Sequence, residues 1–486
     1  MGNDEVYFTT CEECKGRGKK RGKIRKGLRL RYERELAFFE KNNSEGTPPV
    51  RPKGPMLLCD TCNGSGLAPS NVPVLADKTN YPHVAIIGGG IGGVALAVAC
   101  FHRGIPFTLF ERDNGFDVRA QGYGLTVQQG GKALLGLGIA DLPEAIVSKW
   151  HVVHNSEGKV LGEWGARKSM QGEIKKPLKR TNMLIARQSL RLTLLKQLGG
   201  VDAIHWGHQL IGFKEIEEGG VELQFQVNGE IKMVKTDLLV GADGIRSLVR
   251  KQLIGDDVSP LQYLGCIVIL GICSLSALKD VDSTLLDSST IFQTVNGTER
   301  IYMMPYDANS VMWQFSFPVS EKEADALSLK GQKALKEEVY RRAQWHSPVP
   351  QIIAATLESQ VIGYPVYDRG ILKPQMMESG GAITLIGDAA HPMSPFKGQG
   401  ANQALLDGLA LARAISKGCR PTSQWRGLGI RKSALIEFEA EMIERTASKV
   451  RDSAYAVSML HSEFVLFEGD GPRGRLIIQE VKNKKA

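Results

Sequence analysis

Four cysteines near the amino terminus stand in two pairs with C-x-x-C spacing. Cys11 and Cys14 form the first pair, Cys59 and Cys62 form the second, and each pair is followed by x-Gly-x-Gly. Each pair can form a knuckle, and two knuckles supply the four thiolates of one tetrahedral zinc ion. The pattern therefore predicts a structural zinc site, with a redox dithiol or a chance pairing as the alternatives.

A glycine-rich turn points to a second kind of chemistry. Residues 88–93 fit G-x-G-x-x-G, follow an apolar strand and open a helix. Gly88 permits a tight turn, Gly90 lets backbone amides approach a pyrophosphate, and Gly93 lets the helix pack on the strand. Glu111 closes the next strand, where a carboxylate meets a ribose hydroxyl. The pattern predicts a dinucleotide site and disfavours NADP in it.

Two later segments also read as a strand that runs into a polar turn and a helix. The first contains Gly-Ala-Asp-Gly, ending at Asp243 and Gly244, and the second begins Gly387-Asp388-Ala-Ala-His and continues into a loop at 395–402. These segments resemble the DG and GD motifs of the class A flavin-dependent monooxygenases, the family of para-hydroxybenzoate and salicylate hydroxylases. A carboxylate such as Asp388, placed after a buried parallel strand, lies where ligands bind.

This resemblance spans residues 82–465 and implies roles for particular residues. Glu111 would hold the adenosine ribose, Arg187 the diphosphate and Asp388 the ribitol of FAD. Asp243 would contact the pyrophosphate region. The implied cofactor-binding residues are Gly88, Gly90, Gly93, Glu111, Arg119, Arg187, Asp243, Gly244, Gly387, Asp388, Ala401 and Asn402. The implied catalytic residues, which would line the isoalloxazine ring, are Pro395, Gly398, Gln399 and Gly400.

The same resemblance implies a reaction. FAD reduced by NADH or NADPH reacts with dioxygen, and the resulting flavin C(4a)-hydroperoxide transfers one oxygen atom to a phenolic, aromatic or polycyclic small molecule. The family has no separate nicotinamide-binding fold, and the sequence shows none. Two alternatives stay open: a flavin enzyme of the same fold that is an epoxidase or reductase, and an interaction or chaperone-like protein with a structural flavin.

The cysteine motif carries its own resemblance. Two copies of C-x-x-C-x-G-x-G are similar to the zinc domain of DnaJ-type chaperones, which normally has four. The sequence contains no His-Pro-Asp motif of a J-domain, which argues against a co-chaperone. Residues 15–32 between the pairs hold ten lysines and arginines and no acid. This run predicts either an acidic protein partner or a solvated loop.

The segments that position these motifs predict an α/β protein. We expect a Rossmann-like FAD-binding domain with an inserted β-rich substrate domain, C-terminal helices and a small N-terminal zinc module. The predicted boundaries are 1–80 for the module and linker, 81–255 and 376–420 for the two parts of the FAD domain, 256–375 for the substrate domain and 421–486 for the helical end. The first part of the FAD domain, 81–255, is expected to include some strands of the substrate domain. Helices are expected at 30–41, 94–102, 181–200 and 401–416.

The strand-rich middle should supply the substrate pocket. Residues that could line it are Gln293, Met303, Met304, Trp313, Phe315 and Phe317. Trp313, Phe315 and Phe317 alternate with polar or flexible residues, so they share one face of a strand. An aromatic face of this kind is more often core than pocket, and the sequence leaves the choice open.

Composition limits the remaining possibilities. The 486 residues are 42% hydrophobic and 23% charged, which is typical of a folded globular protein. Of the net charge of +9, residues 1–80 contribute +5, from 15 basic and 10 acidic residues. We therefore expect no specific nucleic-acid partner. No transmembrane segment and no secretory signal are predicted, and the expected location is cytoplasmic, with an organelle as the alternative.

Overall fold

The computed structural model describes residues 7–42, 47–119, 122–166, 182–217 and 219–472. Two large sheets dominate it, one parallel and one mostly antiparallel, and each has its own hydrophobic core. Among the helices in these ranges, none is both long enough and apolar enough to cross a bilayer.

The N-terminal module consists of two small antiparallel sheets. β1 (Tyr7–Thr10) pairs with β4 (Leu67–Ser70), and β2 (Lys19–Arg21) pairs with β3 (Met56–Leu58). Helix α1 (Lys26–Lys41) connects β2 to β3 and has no buried residue. The helix predicted at 30–41 is therefore confirmed.

Four parallel strands form the sheet that positions the glycine turn. In spatial order they are β21 (Ile383–Leu385), β15 (Leu238–Gly241), β5 (Val84–Ile87) and β6 (Phe107–Phe110). Helix α2 (Ile91–Phe101) follows β5 and is packed against a helix from the carboxyl-terminal half, α9 (Gly400–Gly418). Since the carboxyl ends of parallel strands meet at one edge, every predicted flavin motif converges there. The predicted Rossmann-like fold is confirmed.

Two smaller sheets flank this parallel sheet. One is the meander β12 (Gln209–Glu215), β13 (Val221–Val227) and β14 (Glu230–Thr236); the other has the order β7 (Gly124–Val127), β11 (Met183–Ala186) and β8 (Ile146–Val147). Two short helices lie beside them, α3 (Gly130–Gly136) and α5 (Leu248–Ile254).

The single helix predicted at 181–200 is wrong at its start. The segment begins with β11, and helix α4 (Arg187–Lys196) starts only at Arg187. The run Met-Leu-Ile-Ala is apolar at every position, so it suits a buried strand as well as a helix face. Pairing with strands on both sides decides in favour of the strand.

Five strands of the predicted substrate domain, 256–375, belong to a seven-stranded sheet whose other two strands come from residues 150–164. Its spatial order is β10 (Val160–Trp164), β9 (Trp150–Asn155), β17 (Thr290–Val295), β18 (Arg300–Asp307), β19 (Ser310–Pro318), β16 (Leu261–Ser274) and β20 (Val361–Arg369). Helices α6 (Glu321–Leu329), α7 (Gln332–Arg342) and α8 (Val349–Ala355) cover one face. We call this the outer face, and the opposite one the inner face.

The aromatic residues of β19 lie on the outer face. Trp313, Phe315 and Phe317 are buried in the core under α6, α7 and α8, together with Met303 of β18. They are core residues, which confirms the interpretation favoured for the aromatic face, and these four side chains do not line a pocket. Met304 and Gln293 point to the inner face, as their strand alternation requires.

The helical end packs against both domains. It consists of α10 (Trp425–Leu428), a wide helical turn at Arg431–Leu435 and α11 (Ile436–Leu460). This confirms the predicted C-terminal helices, while the domain boundaries remain predictions.

Candidate active site

The glycine turn after β5 leaves an open space beside the N-terminus of α2. Gly88 has a φ of +109°, and a Cβ there would lie 2.3 Å from the carbonyl oxygen of Ala242. A Cβ on Gly93 would lie 1.9 Å from the Gly88 carbonyl oxygen. A Cβ on Gly90 would have Nη2 of Arg187 as its nearest neighbour, at a distance of 3.8 Å. The positive end of the helix therefore faces a space in which an anion can bind.

Glu111 lies directly against this turn. Its Oε2 accepts a hydrogen bond from the Gly89 amide at 2.8 Å, and Oε1 accepts one from the Asp113 amide at 3.1 Å. On the same turn, Nε of the buried Arg191 donates to the Gly89 carbonyl at 2.6 Å. Sequence reasoning missed Arg191, although its i+4 spacing from Arg187 places both on one face of α4.

Arg187, Tyr123 and Asp388 form the next part of the cleft. The side chains of Arg187 and Tyr123 are hydrogen-bonded, and burial raises the pKa of the Tyr123 phenol. Burial likewise raises the pKa of the Asp388 carboxyl group, although its interactions with His391 and Arg187 act to lower it. Both Tyr123 and Asp388 nevertheless keep solvent access. Side chains that are enclosed by protein and still touched by solvent line a deep cleft.

Asp243 is placed at the carboxyl end of β15. Its Oδ2 accepts hydrogen bonds from the amides of Leu248 at 2.8 Å and Val249 at 3.3 Å, so it caps α5. Its Oδ1 is buried and has no hydrogen-bond partner in the described chain. Gly244 follows with a φ of +83° and no atom near its missing side chain. The unpartnered oxygen suits a ligand hydroxyl or amide.

Arg250, which follows the turn that carries Asp243, binds the turn that carries Asp388. Its Nη1 donates to the carbonyl oxygens of Ala389 at 2.9 Å and Ala390 at 2.8 Å, and Nη2 donates to Ser259 Oγ at 2.6 Å. Burial lowers the pKa of Arg250 to about 10, so it stays charged at neutral pH. This arginine holds the turn that carries Asp388.

A buried network anchors the same turn from the other side. Asp407 of α9 accepts from the Gly387 amide at 2.8 Å and pairs with His391 Nε2 at 2.6 Å, both through Oδ2. Its Oδ1 accepts from Arg445 Nη2 at 2.8 Å, and Arg445 Nη1 donates to Gln403 at 2.7 Å. His391 is thus a structural hydrogen-bonding residue.

The loop before α9 carries the predicted catalytic residues. Pro395–Lys397 forms a single helical turn, and Gly398 follows with a φ of +57° that favours glycine. The Gln399 side chain points into the protein and donates to Gln128 Oε1 at 3.1 Å. What remains available to a ligand is the backbone of this loop and the first amides of α9.

Asn402 has no free hydrogen-bonding position on its side chain. Oδ1 accepts from the amides of Gln128 at 2.8 Å and Gly130 at 2.9 Å, and Nδ2 donates to the carbonyls of Thr126 at 2.8 Å and Gly398 at 2.9 Å. The residue therefore fixes the loop against β7. A direct flavin contact is left to its backbone.

Two predicted residues add little to this geometry. Ala401 is half-buried in the first turn of α9. Arg119 ends the turn Phe116–Arg119, and its side chain lies outside the described part of the chain.

The order of these groups along the cleft fits FAD. Glu111 contacts the Gly89–Gly90 turn, and Arg187 lies beside that turn. Arg187 interacts in turn with Asp388. The series ends at Gly400, where a Cβ would lie 3.5 Å from Asp388 Oδ1. A carboxylate suits a ribose, a helix N-terminus with an arginine suits a diphosphate, and a second carboxylate suits ribitol hydroxyls. That sequence of groups is the one in FAD, read from adenosine to isoalloxazine.

Comparison with known proteins agrees with this assignment. Residues 81–428 match the sequence profile of the FAD binding domain family. The chain belongs to this family and is an FAD-dependent oxidoreductase of the class A monooxygenase type.

Named relatives support the class. The chain is 30% identical to aurachin C monooxygenase/isomerase of Stigmatella aurantiaca, over 68% of this chain and 80% of that protein. It is 27% identical to 3-amino-4-hydroxybenzoate 2-monooxygenase PtnB3 of Streptomyces platensis, over 69% and 80%. It is 28% identical to the chloroplastic zeaxanthin epoxidase of Oryza sativa subsp. japonica, over 76% of this chain but only 54% of that protein.

A solved structure supports the fold. A single-residue variant of Klebsiella pneumoniae HpxO, complexed with FAD, superposes with a TM-score of 0.66 at 21% identity, over 83% of this chain and 98% of that chain. At this identity the likeness supports the fold and nothing finer.

The four cysteines of the module converge as predicted. Sγ atoms of Cys11 and Cys59 lie 4.0 Å apart, those of Cys14 and Cys62 lie 3.7 Å apart, and all four fall within 4.8 Å of one another. Tetrahedral Zn–S bonds of about 2.3 Å require S···S edges of about 3.8 Å. The Gly66 amide donates to Cys62 Sγ at 3.2 Å, and the corresponding amide of the first knuckle donates to Cys14 Sγ at 3.2 Å. The geometry fits a metal ion, and all four cysteines are free thiols in the structure.

The module is docked on the FAD domain through the buried Arg103 and the half-buried Arg413. Arg413 of α9 donates from Nη2 to the Ser65 carbonyl at 2.8 Å, and a Cβ on Gly18 would lie 3.0 Å from the same nitrogen. A Cβ on Gly16 would lie 3.9 Å from Nε of Arg103, at the end of α2. Neither arginine was predicted, because only the folded chain brings them to the cysteines.

Removing the Asp388 carboxylate should weaken FAD binding. For Asp388→Ala we expect FAD affinity to fall roughly 10- to 100-fold, the effect of a lost hydrogen bond to a charged group. Fluorescence titration of the apoprotein with FAD measures it, with Asp452→Ala, at an exposed position of α11, as control. If both variants bind FAD like the unaltered protein, Asp388 does not contact the cofactor.

Proposed function

We propose that this protein is an NAD(P)H-dependent monooxygenase that transfers one oxygen atom of dioxygen to an aromatic small molecule. One atom enters the substrate, the other leaves as water, and NAD(P)H supplies the two electrons. The observation that carries the proposal is the cleft, in which the donor groups follow the order of FAD and end at a loop beside the inner face of the sheet. The benzoate in the name of the Streptomyces relative supports an aromatic substrate.

The chain's own residues bind and orient the reactants. Glu111, Arg187 and Asp388 would hold FAD, which when bound supplies the redox chemistry that activates dioxygen. The amides of Gly400 and Ala401 lie at the positive end of α9, where they stabilise negative charge.

Aromatic and apolar residues would exclude water from the reacting atoms. Burial raises the pKa values of Tyr364 and Tyr302, so both phenols stay neutral and can only donate or accept hydrogen bonds. Met304 and Met312 pack against Gly124 on the inner face. Such adaptable side chains suit a planar substrate.

The nicotinamide nucleotide would react in the same cleft, since no second dinucleotide fold is present in the described residues. We expect an aromatic substrate to accelerate NADH or NADPH oxidation at least tenfold, as is common when binding organises a site. Absorbance at the nicotinamide band follows the reaction across a panel of phenols, and free FAD with the same compounds is the control. Product mass separates hydroxylation from epoxidation of an olefin. Oxidation that no compound accelerates would contradict the proposal.

The four cysteines would hold a structural zinc ion. A Zn(Cys)₄ centre carries a net charge of −2, and the guanidinium groups of Arg103 and Arg413 would balance it. Four free thiols at ligand spacing are typical of reducing compartments, so we propose an intracellular location. An acidic protein partner for the exposed helix α1 stays a prediction.

A further inference from the structure

An open cavity of about 470 Å³ lies in the N-terminal module, outside the site described above. Its walls are two short segments, 21–24 after β2 and 51–54 before β3. The Gly22 amide donates to the Pro55 carbonyl at 2.7 Å, and a Cβ on Gly54 would lie 1.8 Å from the Gly22 carbonyl oxygen. Backbone contacts therefore hold the two walls against each other.

Every charged residue that lines this cavity is a cation. The four of them are Arg21, Lys23, Arg51 and Lys53. All four are exposed, and no carboxylate in the described part of the chain is ion-paired with any of them. By contrast, Lys20, Arg29 and Arg31 nearby in the sequence each pair with a glutamate. The cavity therefore has a positive potential that no protein group balances, which favours an anion in it.

The cavity belongs to a strongly positive segment of the chain. Residues 19–58 contain 12 lysines and arginines and four glutamates, so they contribute +8 to the net charge of +9. The remainder of the chain, which includes the proposed active site, is close to neutral. A charge of this size on one small module attracts an extended anionic surface, and the attraction weakens as salt is added.

Exposed apolar side chains lie beside the cations. Met56, Leu57 and Leu58 make up β3, are between 47% and 61% exposed, and pair with the three basic residues of β2. A Cβ on Gly22 would lie 2.9 Å from Leu57 Cδ1, so this leucine borders the cavity. Val50, just before the second wall, is 85% exposed. Solvated cations need no aliphatic neighbours, so the combination indicates a binding surface.

We propose that this surface binds the headgroup region of an anionic membrane. The four cations of the cavity hold lipid phosphate groups, and Val50, Met56 and Leu57 insert between the upper parts of the acyl chains. Aliphatic side chains do not stack on bases, which disfavours a nucleic acid. Four cations around one cavity suit a compact phosphate headgroup better than carboxylates spread over a protein surface.

The proposal goes beyond the oxygen transfer proposed above and does not depend on it. Membrane binding through the module would bring the cleft close to a lipid phase, where apolar aromatic molecules accumulate. Because the binding measurements below involve no turnover, failure of the monooxygenase assay leaves them valid.

The direct test is co-sedimentation of the purified FAD-containing protein with lipid vesicles. Vesicles of phosphatidylcholine alone are compared with vesicles in which about a third of the lipid is phosphatidylglycerol. We expect binding to the mixed vesicles to be at least about 100-fold tighter at low salt and to weaken as salt is added. Equal binding to both kinds of vesicle would overturn the proposal. Binding to neither would also overturn it and would leave an acidic protein as the partner of the basic segment.

A charge variant assigns the binding to the cavity. Replacement of its four cations by glutamine should weaken binding to the mixed vesicles about 100-fold or more, since each cation near an anionic surface contributes roughly fivefold. The matched control replaces four exposed cations outside the module, Lys330, Lys333, Arg341 and Arg451. This control should bind like the unaltered protein. If the two variants bind alike, net charge and not the cavity is responsible, and the proposal falls.

An apolar variant tests the insertion step. Met56→Gln combined with Leu57→Gln should weaken binding to the mixed vesicles roughly tenfold, because the apolar contribution is lost while the charges remain. Leu329→Gln combined with Leu357→Gln alters two exposed leucines of the substrate domain and should have no effect. FAD content and thermal unfolding of each variant show that the chain is still folded. Unweakened binding by the Met56 and Leu57 variant would contradict insertion into the membrane.

Discussion

An Asp407→Asn protein should be markedly less stable than the unaltered chain and should lose FAD during purification. The carboxylate is fully buried and pairs with His391, Arg445 and the Gly387 amide. Removing one partner of a buried ion pair leaves the others without compensation, which typically costs about 3–5 kcal/mol. Since Gly387 and His391 flank Asp388, the cofactor site should loosen along with the fold.

Two comparisons make this test specific. Glu441→Gln removes the exposed partner of the same Arg445 and should change the free energy of unfolding by less than about 1 kcal/mol. Burial would raise the pKa of Asp407, but His391 and Arg445 outweigh it and hold the pKa below its usual value. The stabilisation is therefore complete above about pH 4, the ordinary pKa of Asp, and is lost as the pH falls through the folded-state pKa.

Denaturant unfolding at several pH values measures both effects. The difference between Asp407→Asn and the unaltered protein should be largest near neutral pH and should shrink in acid. If Asp407→Asn unfolds like Glu441→Gln at pH 7 and retains its FAD, the buried network around Asp407 does not hold the FAD site together.

A Cys59→Ser protein should lose its zinc and much of the stability of the module. Structural zinc sites contribute folding free energy directly. Without the metal centre, Arg103 and Arg413 would lose the negative charge that balances them, so α2 and α9 should be destabilised as well. We expect close to one zinc per chain in the unaltered protein, near zero in the variant, and earlier thermal unfolding.

Metal analysis of a second cysteine variant separates the loss of the zinc site from the general effect of replacing a buried cysteine. Cys273→Ser alters a buried cysteine of the substrate domain, outside the cluster, and should retain the zinc. Flavin content should fall less than zinc content, because Arg413 lies 13 residues, or about 20 Å, along α9 from the flavin loop. Unchanged zinc in Cys59→Ser would refute the site.

Local sequence patterns predicted the parts of the site that lie on consecutive residues. The glycine turn, Glu111, Asp388 and the cysteine pairs are each recognisable because their chemistry depends on spacing within a short segment. The parallel sheet followed from the same segments, since each begins with an apolar strand. The structure brings the glycine turn, Glu111 and Asp388 to one edge of this sheet, because each of them follows one of its parallel strands.

The remaining parts depend on contacts between distant segments. Asp407 and Arg445 belong to two helices, and nothing local distinguishes them from surface charges on amphipathic helices. Asn402, expected to contact flavin, instead uses its whole side chain to bind the backbone near Thr126.

Segments with ambiguous periodicity account for one wrong prediction and for one choice that the sequence left open. The apolar run before Arg187 fits both strand and helix, and only its pairing partners decide between them. The aromatic face of β19 could pack on helices or on a ligand, and the three helices that cover it lie later in the chain.

The central claim is that the cleft transfers one atom of dioxygen to an aromatic molecule. The most direct test is turnover under isotopically labelled dioxygen, with NAD(P)H and the compound that most accelerates its oxidation. Mass spectrometry of the product should find one labelled oxygen atom, and the label should be absent when only the water is labelled. A product without label, or hydrogen peroxide as the sole product with every compound tested, would contradict the account.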